Sequence, residues 1–347
     1  MIGLALSGGG LRGAYEVGVY KALKECHIKI DGFVGTSIGA INAVIMASKQ
    51  EEKLYDFWIN CDAGKILRLT DKLSKEINEG KLDKEMIQEL LINGKNILVN
   101  KGLSLDGLRE VLNDFDLPDK LYKSNKEFGL VTVKVKKMQP LYVFKEDIKP
   151  EKLLDYLIAS CYLPIFKFEK IIDDNYYLDG GFHDNVPANA LIKRGYKKVY
   201  VVDLEAIGIK RKYIDASKII EIKPSHNLGS ILNIRQKDIQ KNVNLGYYDT
   251  LKIIKKLDGY NFIFKKRTKW YYNFLASHAS AKTKKEMQVF FKTTDNKELI
   301  IKAIEYIMKK EKYNYCCIYN IGDIIKNVKH QAKNYGVYKF INELQKN

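Results

Sequence analysis

Twice before Lys49 a short apolar run stops at glycine and gives way to a helical pattern. "IGLAL" (Ile2–Leu6) meets "SGGGLRG", and "RGAYEVGVYKALKEC" (Arg12–Cys26) follows. "DGFVGTS" (Asp31–Ser37) then runs into the small-residue helix "IGAINAVIMAS" (Ile38–Ser48). Apolar runs this short, closed by glycine, read as buried strands. Strand–helix–strand–helix joined by tight turns signals an α/β fold with a parallel sheet.

The rest of the chain extends that frame. "DKLSKEINEGKLDKEMIQELLINGKN", within Thr70–Phe115, is polar, amphipathic and strand-free, and is expected to form an inserted helical cap. "EFGLVTVKVKK" (Glu127–Lys137) and "QPLYVF" (Gln139–Phe144) read as a hairpin pair of strands. "KLLDYLIASCYLP" (Lys152–Pro164) reads as a helix closed by its proline. "NYYLDGGFHDNVP" is a strand entering a turn, and "KKVYVVDLE" and "SKIIEIKPSHN" are two further strands. Beyond His226 the pattern is mainly helical and rich in Tyr and Lys.

Three loops carry the chemistry. Gly8, Gly10 and Gly13 spell G-x-G-x-x-G, the dinucleotide-binding pattern. That reading needs an acid at the carboxyl end of the second strand, and Asp31 stands at its beginning. A Walker loop needs Lys-Ser/Thr after Gly13, and none follows. What remains is either a tight turn that holds nothing or a row of bare amides at a helix start. Such a row holds an anion, including one formed only in a transition state. Gly35-Thr36-Ser37-Ile38-Gly39 matches G-x-S-x-G between a strand and a helix, the setting of a nucleophile elbow. The alternative is Ser37 as a helix-start cap. A serine nucleophile needs a base. Asp179, followed by Gly180 and Gly181, ends a strand with an uncrowded carboxylate that can take the Ser37 proton, or else it orders its own loop as an Asx turn.

In this order "GGGLRG" (Gly8–Gly13), "GTSIG" (Gly35–Gly39) and "DGG" (Asp179–Gly181) make the chain resemble the patatin-like phospholipase family. "ASCYLP" (Ala159–Pro164) and "HDNVP" (His183–Pro187) are further echoes, and the resemblance covers Met1 to Asp203. It implies a three-layer α/β fold with a mainly parallel central sheet. The expected catalytic domain is residues 1–225, with the cap at 70–115 and a basic, mainly helical extension at 226–347. The resemblance also implies a Ser–Asp dyad, Ser37 as nucleophile and Asp179 as general base. Gly8, Gly9, Gly10, Leu11, Arg12 and Gly13 would form the oxyanion loop, with Arg12 in the family's basic position. The implied reaction is phospholipase A-type cleavage of acyl esters through an acyl-enzyme, with no metal and no cofactor.

Among enzymes the competing reading is a Ser–His–Asp triad, whose histidine lies on a late loop after a strand, where His226 stands. His183 is read as ordering the aspartate loop. A general esterase or thioesterase is a further reading. So is a lipid- or nucleic-acid-binding protein with a vestigial site, against which the three intact motifs speak.

The chain carries a net charge of +17, and between Leu251 and Asn347 21 Lys/Arg stand against 8 Asp/Glu. A basic face favours anionic partners such as a phospholipid surface, or is an ordinary solvated surface. "KKRTKWYYNF" (Lys265–Phe274) mixes residue types that suit a bilayer interface, a nucleic-acid strand or a helical core. The expected partner is a lipid substrate with peripheral contact to an anionic membrane, and not nucleic acid. No apolar run approaches the roughly 18–20 residues of a membrane span. "MIGLALSGGG" shows no signal-peptide pattern, and the five Cys show no CxxC spacing, so a cytoplasmic protein with reduced thiols is expected.

Overall fold

A seven-stranded sheet organises the first part of the chain in the computed structural model, which describes residues 1–60, 104–167, 169–231, 236–329 and 335–345. The strands are β1 (Ile2–Leu6), β2 (Gly32–Thr36), β3 (Glu127–Lys134), β4 (Gln139–Phe144), β5 (Tyr177–Asp179), β6 (Lys198–Val202) and β7 (Ile219–Ile222). Their order is β4-β3-β2-β1-β6-β7, with β5 paired to β3. All neighbours run parallel except β4 and β5, which are antiparallel to β3. The sheet is therefore mainly parallel, as the opening strand–helix repeats predict.

Both faces are covered, because residues alternate across a strand. Ala5, Val34, Val199 and Val201 pack with Leu191 and Ile192 of the helix Ala188–Lys193. On the opposite face Phe33 meets Tyr20 of α1 (Ala14–Glu25), ring centroids 5.6 Å apart. Beside α1 lies α2 (Ile38–Ala47), buried from Gly39 to Ala47. A buried polar knot ties these elements: Asn42 donates to the Gly13 carbonyl and to Glu16, and Trp58 donates to Asn42. Burial pushes the Glu16 carboxyl well above the usual range, against the pull of Asn42 and the Ser7 backbone. The result is three layers: helices, sheet, helices.

Two details depart from the sequence pattern. The helix expected up to Pro164 spans Leu153–Ser160 and ends short of the proline. Just past the helix, the Tyr162 carbonyl accepts the Asp179 amide at 2.8 Å. Of the expected cap, residues 70–103 lie outside the described residues; 104–115 contain the helix Asp106–Asn113.

Two compact units, Met1–Tyr247 and Tyr248–Asn347, divide within the helix Gln236–Ile254. The second unit is mainly helical around its own core, which includes Tyr272, Ile300, Ile304, Phe340 and Ile341. It also holds a parallel pair of two-residue strands, Ile263–Phe264 with Ile318–Tyr319, too short to leave a periodic signal. Within "KKRTKWYYNF", Tyr272 is core, whereas Trp270 and Phe274 stack on each other at the surface. No helix among the described residues is long and apolar enough to cross a membrane.

Candidate active site

Register brings the three loops together. Leu6 lies opposite Gly35 on one side and Val202 on the other, so β1, β2 and β6 end level. Their loops leave from one edge of the sheet, the edge where parallel α/β sheets place ligands. The strand β3 does the rest. β4 occupies one of its sides; β2 pairs along the other up to Thr36 opposite Val131, and β5 takes over that side with Asp179 opposite Thr132. β2 and β5 thus run toward each other and stop at adjacent register positions. Ser37 follows Thr36 directly, so it arrives beside Asp179.

Ser37 sits at φ 56°, ψ −129°, the sharp turn between β2 and α2. A non-glycine residue with positive φ is uncommon and is held there by its surroundings. The flanking glycines permit it by close approach. A Cβ on Gly35 would lie 2.2 Å from the Gly39 carbonyl oxygen, and one on Gly39 would lie 2.5 Å from that of Leu6. The Ser37 amide donates to Ser160 Oγ at 3.0 Å, and Ser160 in turn donates to the Val131 carbonyl at 2.7 Å. Ser160, within the "ASCYLP" echo, therefore pins the elbow to β3.

Asp179 is 3% exposed. Its Oδ1 accepts the Gly181 amide at 2.7 Å. Its Oδ2 is buried and lacks a hydrogen bond of ordinary geometry among the described residues. Burial pushes the carboxyl up to about 6, while the nearby Ser37 hydroxyl and the Gly181 amide favour its charged form. Burial, with the Asp179 charge adding to it, also pushes the neighbouring Cys161 thiol well up, so it stays protonated.

Three amides of the glycine loop are already bonded. Gly8 donates to the Asn185 carbonyl (3.2 Å), Leu11 to Ile231 (2.9 Å) and Arg12 to Gly9 (3.2 Å). The Gly9 and Gly10 amides have no acceptor among the described residues. Gly10 takes φ +55°, and a Cβ there would meet the Ile231 carbonyl oxygen at 2.3 Å. The Arg12 guanidinium does not enter the cavity. It donates to the carbonyls of Gly229, Leu204 and Glu205, stapling the loop to two others. Asn185 Nδ2 donates to the Gly8 carbonyl at 3.2 Å, so "HDNVP" fixes the glycine loop from the other side. These jobs of Ser160 and Asn185 had no signal beyond the quoted echoes.

Ser37 and Asp179 open into a cavity of about 300 Å³. Gly8, Gly9, Gly10, Gly181 and Asn185 line it with the apolar side chains of Leu163, Phe182, Ile207, Ile209 and Ile231. None of its described lining residues is histidine. The Nδ1 of His226 lies 3.0 Å from Ser225 Oγ. His183 faces a different cavity and interacts with Arg211. A partly buried serine, a buried carboxyl with a raised pKa and two backbone amides without a recorded acceptor around an apolar hollow suit acyl transfer.

Over 195 residues the chain is 24% identical to the probable lipid hydrolase 463L of Invertebrate iridescent virus 6, covering 56% of this chain and 64% of that protein. It is 26% identical over 216 residues to the patatin-like phospholipase domain-containing protein ZK370.4 of Caenorhabditis elegans, covering 59% of this chain and 14% of that one. The chain thus spans less than two thirds of either relative. Among solved structures, VipD from Legionella pneumophila aligns over 98% of this chain and 83% of its own, at 15% identity and a TM-score of 0.46. The family model for patatin-like phospholipases matches residues 4–192, more than half of the sequence and all three loops: the chain belongs to the patatin-like phospholipase family.

Proposed function

We propose that the protein is a lipid acyl hydrolase that cleaves carboxylic esters of phospholipids with a Ser37–Asp179 dyad. The observation that carries this reading is the meeting of β2 and β5 beside β3, which delivers a strained serine to a buried, raised-pKa carboxylate at the mouth of an apolar cavity. Apolar walls suit an acyl chain.

In the reaction Ser37 Oγ attacks the ester carbonyl carbon as its proton passes to Asp179 Oδ2. The carbonyl oxygen becomes an oxyanion facing the Gly9 and Gly10 amides, donors fixed in advance by the loop. The intermediate collapses, the C–O bond to the alcohol breaks, and the leaving alkoxide takes the proton from Asp179. The acyl-enzyme remains. Asp179 then accepts a proton from water as that water attacks the acyl carbonyl, and returns it to Ser37 on release of the fatty acid.

The test is turnover of a phospholipid and of a soluble ester by purified variants. Ser37→Ala and Asp179→Asn are each expected to lose about 10³-fold or more in kcat, the usual loss for a nucleophile or its base. His226→Ala is expected to retain most activity. If His226→Ala is as damaging as Ser37→Ala with folding intact, the dyad is wrong and a triad operates.

A further inference from the structure

The segment from Glu205 to Ile214 is fixed at its backbone, yet it displays apolar side chains to solvent. The Ile209 amide donates to the Gly181 carbonyl at 2.9 Å, and its carbonyl accepts the Asn185 amide at 2.6 Å, clamping the segment to the aspartate loop. Lys210 pairs with buried Asp203, its Nζ 2.7 and 2.8 Å from the two carboxylate oxygens. Asn189 holds the Lys212 carbonyl and the Ile214 amide. On this frame Ile207, Ile209 and Ile214 are 53%, 47% and 58% exposed. A fixed loop that keeps three isoleucines in water points to a surface with an apolar partner.

The same segment forms one wall of a second cavity, of about 580 Å³. Tyr142, His183, Lys193, Arg194, Arg211 and Lys212 contribute to its lining. Arg194 is paired with Glu127 and Glu146. Lys193, Arg211 and Lys212 form no ion pair among the described residues. Arg211 is oriented by neutral groups instead. Its Nε donates to the His183 carbonyl at 2.9 Å, and its Nη2 lies 2.9 Å from His183 Nδ1. The acid behind them, Asp184, is buried and accepts the Tyr142 hydroxyl at 2.9 Å. Lys193 and Arg211 both feel the charge of Asp184, so three cations edge the cavity against one buried carboxylate.

We propose that this face, the segment 206–214 with the basic cavity beside it, docks the protein on an anionic phospholipid bilayer. Ile207, Ile209 and Ile214 enter the interface, while Lys193, Arg211 and Lys212 hold lipid phosphate groups. A nucleic acid matches the cations and leaves the isoleucines in water; a bilayer surface matches both. Ile207 and Ile209 also line the Ser37 cavity, so docking sets that cavity against the membrane. This last consequence rests on the lipid-hydrolase reading; the docking itself does not.

The experiment is sedimentation of the full chain with vesicles of phosphatidylcholine alone or with about 30 mol% phosphatidylglycerol, enough to give an anionic surface. The chain carries Ser37→Ala so that no lipid is consumed. Binding is expected only to the anionic vesicles and is expected to weaken with added salt. Lys193→Glu with Lys212→Glu, and separately Ile214→Asp, should each weaken binding about 10-fold or more, since each surface cation and each inserted side chain contributes on that order. Circular dichroism confirms that each variant is folded. Equal binding to neutral vesicles, no binding at all, or unchanged binding in these variants overturns the proposal. So does loss of binding on Trp270→Ser with Phe274→Ser while the loop variants still bind, which would move the contact to the second unit. Turnover of a soluble ester by the wild type is read separately: if it fails while vesicles bind, the hydrolase reading falls and the docking stands.

Discussion

A buried carboxylate weakens the fold that holds it once it ionises. Burial raises the Asp179 carboxyl to about 6, against Ser37 and the Gly181 amide. In the unfolded chain an aspartate titrates near 3.9. A group whose folded pKa is raised contributes stability that is fully present below the unfolded value and lost as pH rises through the folded one. Here the window runs from about 4 to about 6, and the loss is on the order of 3 kcal/mol. Asp179→Asn is therefore expected to match the wild type in urea unfolding near pH 4 and to exceed its stability near pH 8, while its turnover collapses. Asp184, also raised to about 6 by burial, titrates in the same window in both proteins and cancels in that difference. If Asp179 is the base, log kcat/KM of the wild type rises with unit slope to a plateau just above pH 6. A profile flat from about pH 5 to 8 would remove Asp179 from that role.

At the scale of elements, the loops were legible because a tight turn advertises itself in glycine. Gly35 and Gly39 stand where any side chain would meet a backbone oxygen, and the pattern G-x-S-x-G is that constraint written in letters. Gly39→Ala is expected to cost about 3 kcal/mol or more in urea unfolding, because its Cβ would press on the carbonyl oxygens of Leu6 and Ser7 at 2.5 and 2.6 Å. What the letters did not carry is partnership between distant segments. The sequence marks six candidate residues from Gly8 to Gly13, but only the fold shows which of their amides Asn185, Ile231 and Gly9 already hold. Nor does any local pattern announce that β5 continues the line of β2, since a three-residue strand has almost no period to read. Ser160 is the clearest case of a hidden role. Ser160→Ala leaves the Ser37 amide without its acceptor and is expected to lower kcat about 10- to 100-fold with a much smaller change in KM. An equal effect on both would make Ser160 a binding residue rather than a positioning one.

For the molecule as a whole, composition gave the sign of the charge but not its geography. The surplus of cations after Leu251 falls in the second unit, whose aromatic segment divides between core and surface. The three cations beside the aspartate loop belong to the first unit and come from two short basic stretches, Lys193-Arg194 and Lys210-Arg211-Lys212, that only the fold brings to one cavity. The α/β class and the parallel sheet, by contrast, followed from the first two strand–turn–helix repeats, because short buried strands joined by helices have few other ways to pair. The central claim is that acyl groups pass through Ser37 under the control of Asp179. It is tested most directly by quenching the wild type with acid during phospholipid turnover and reading the intact protein and its peptides by mass spectrometry. One acyl mass is expected on the peptide that contains Ser37, absent in Ser37→Ala and appearing far more slowly in Asp179→Asn when the first turnover is sampled. An acyl group on any other residue, or its persistence in Ser37→Ala, would contradict it.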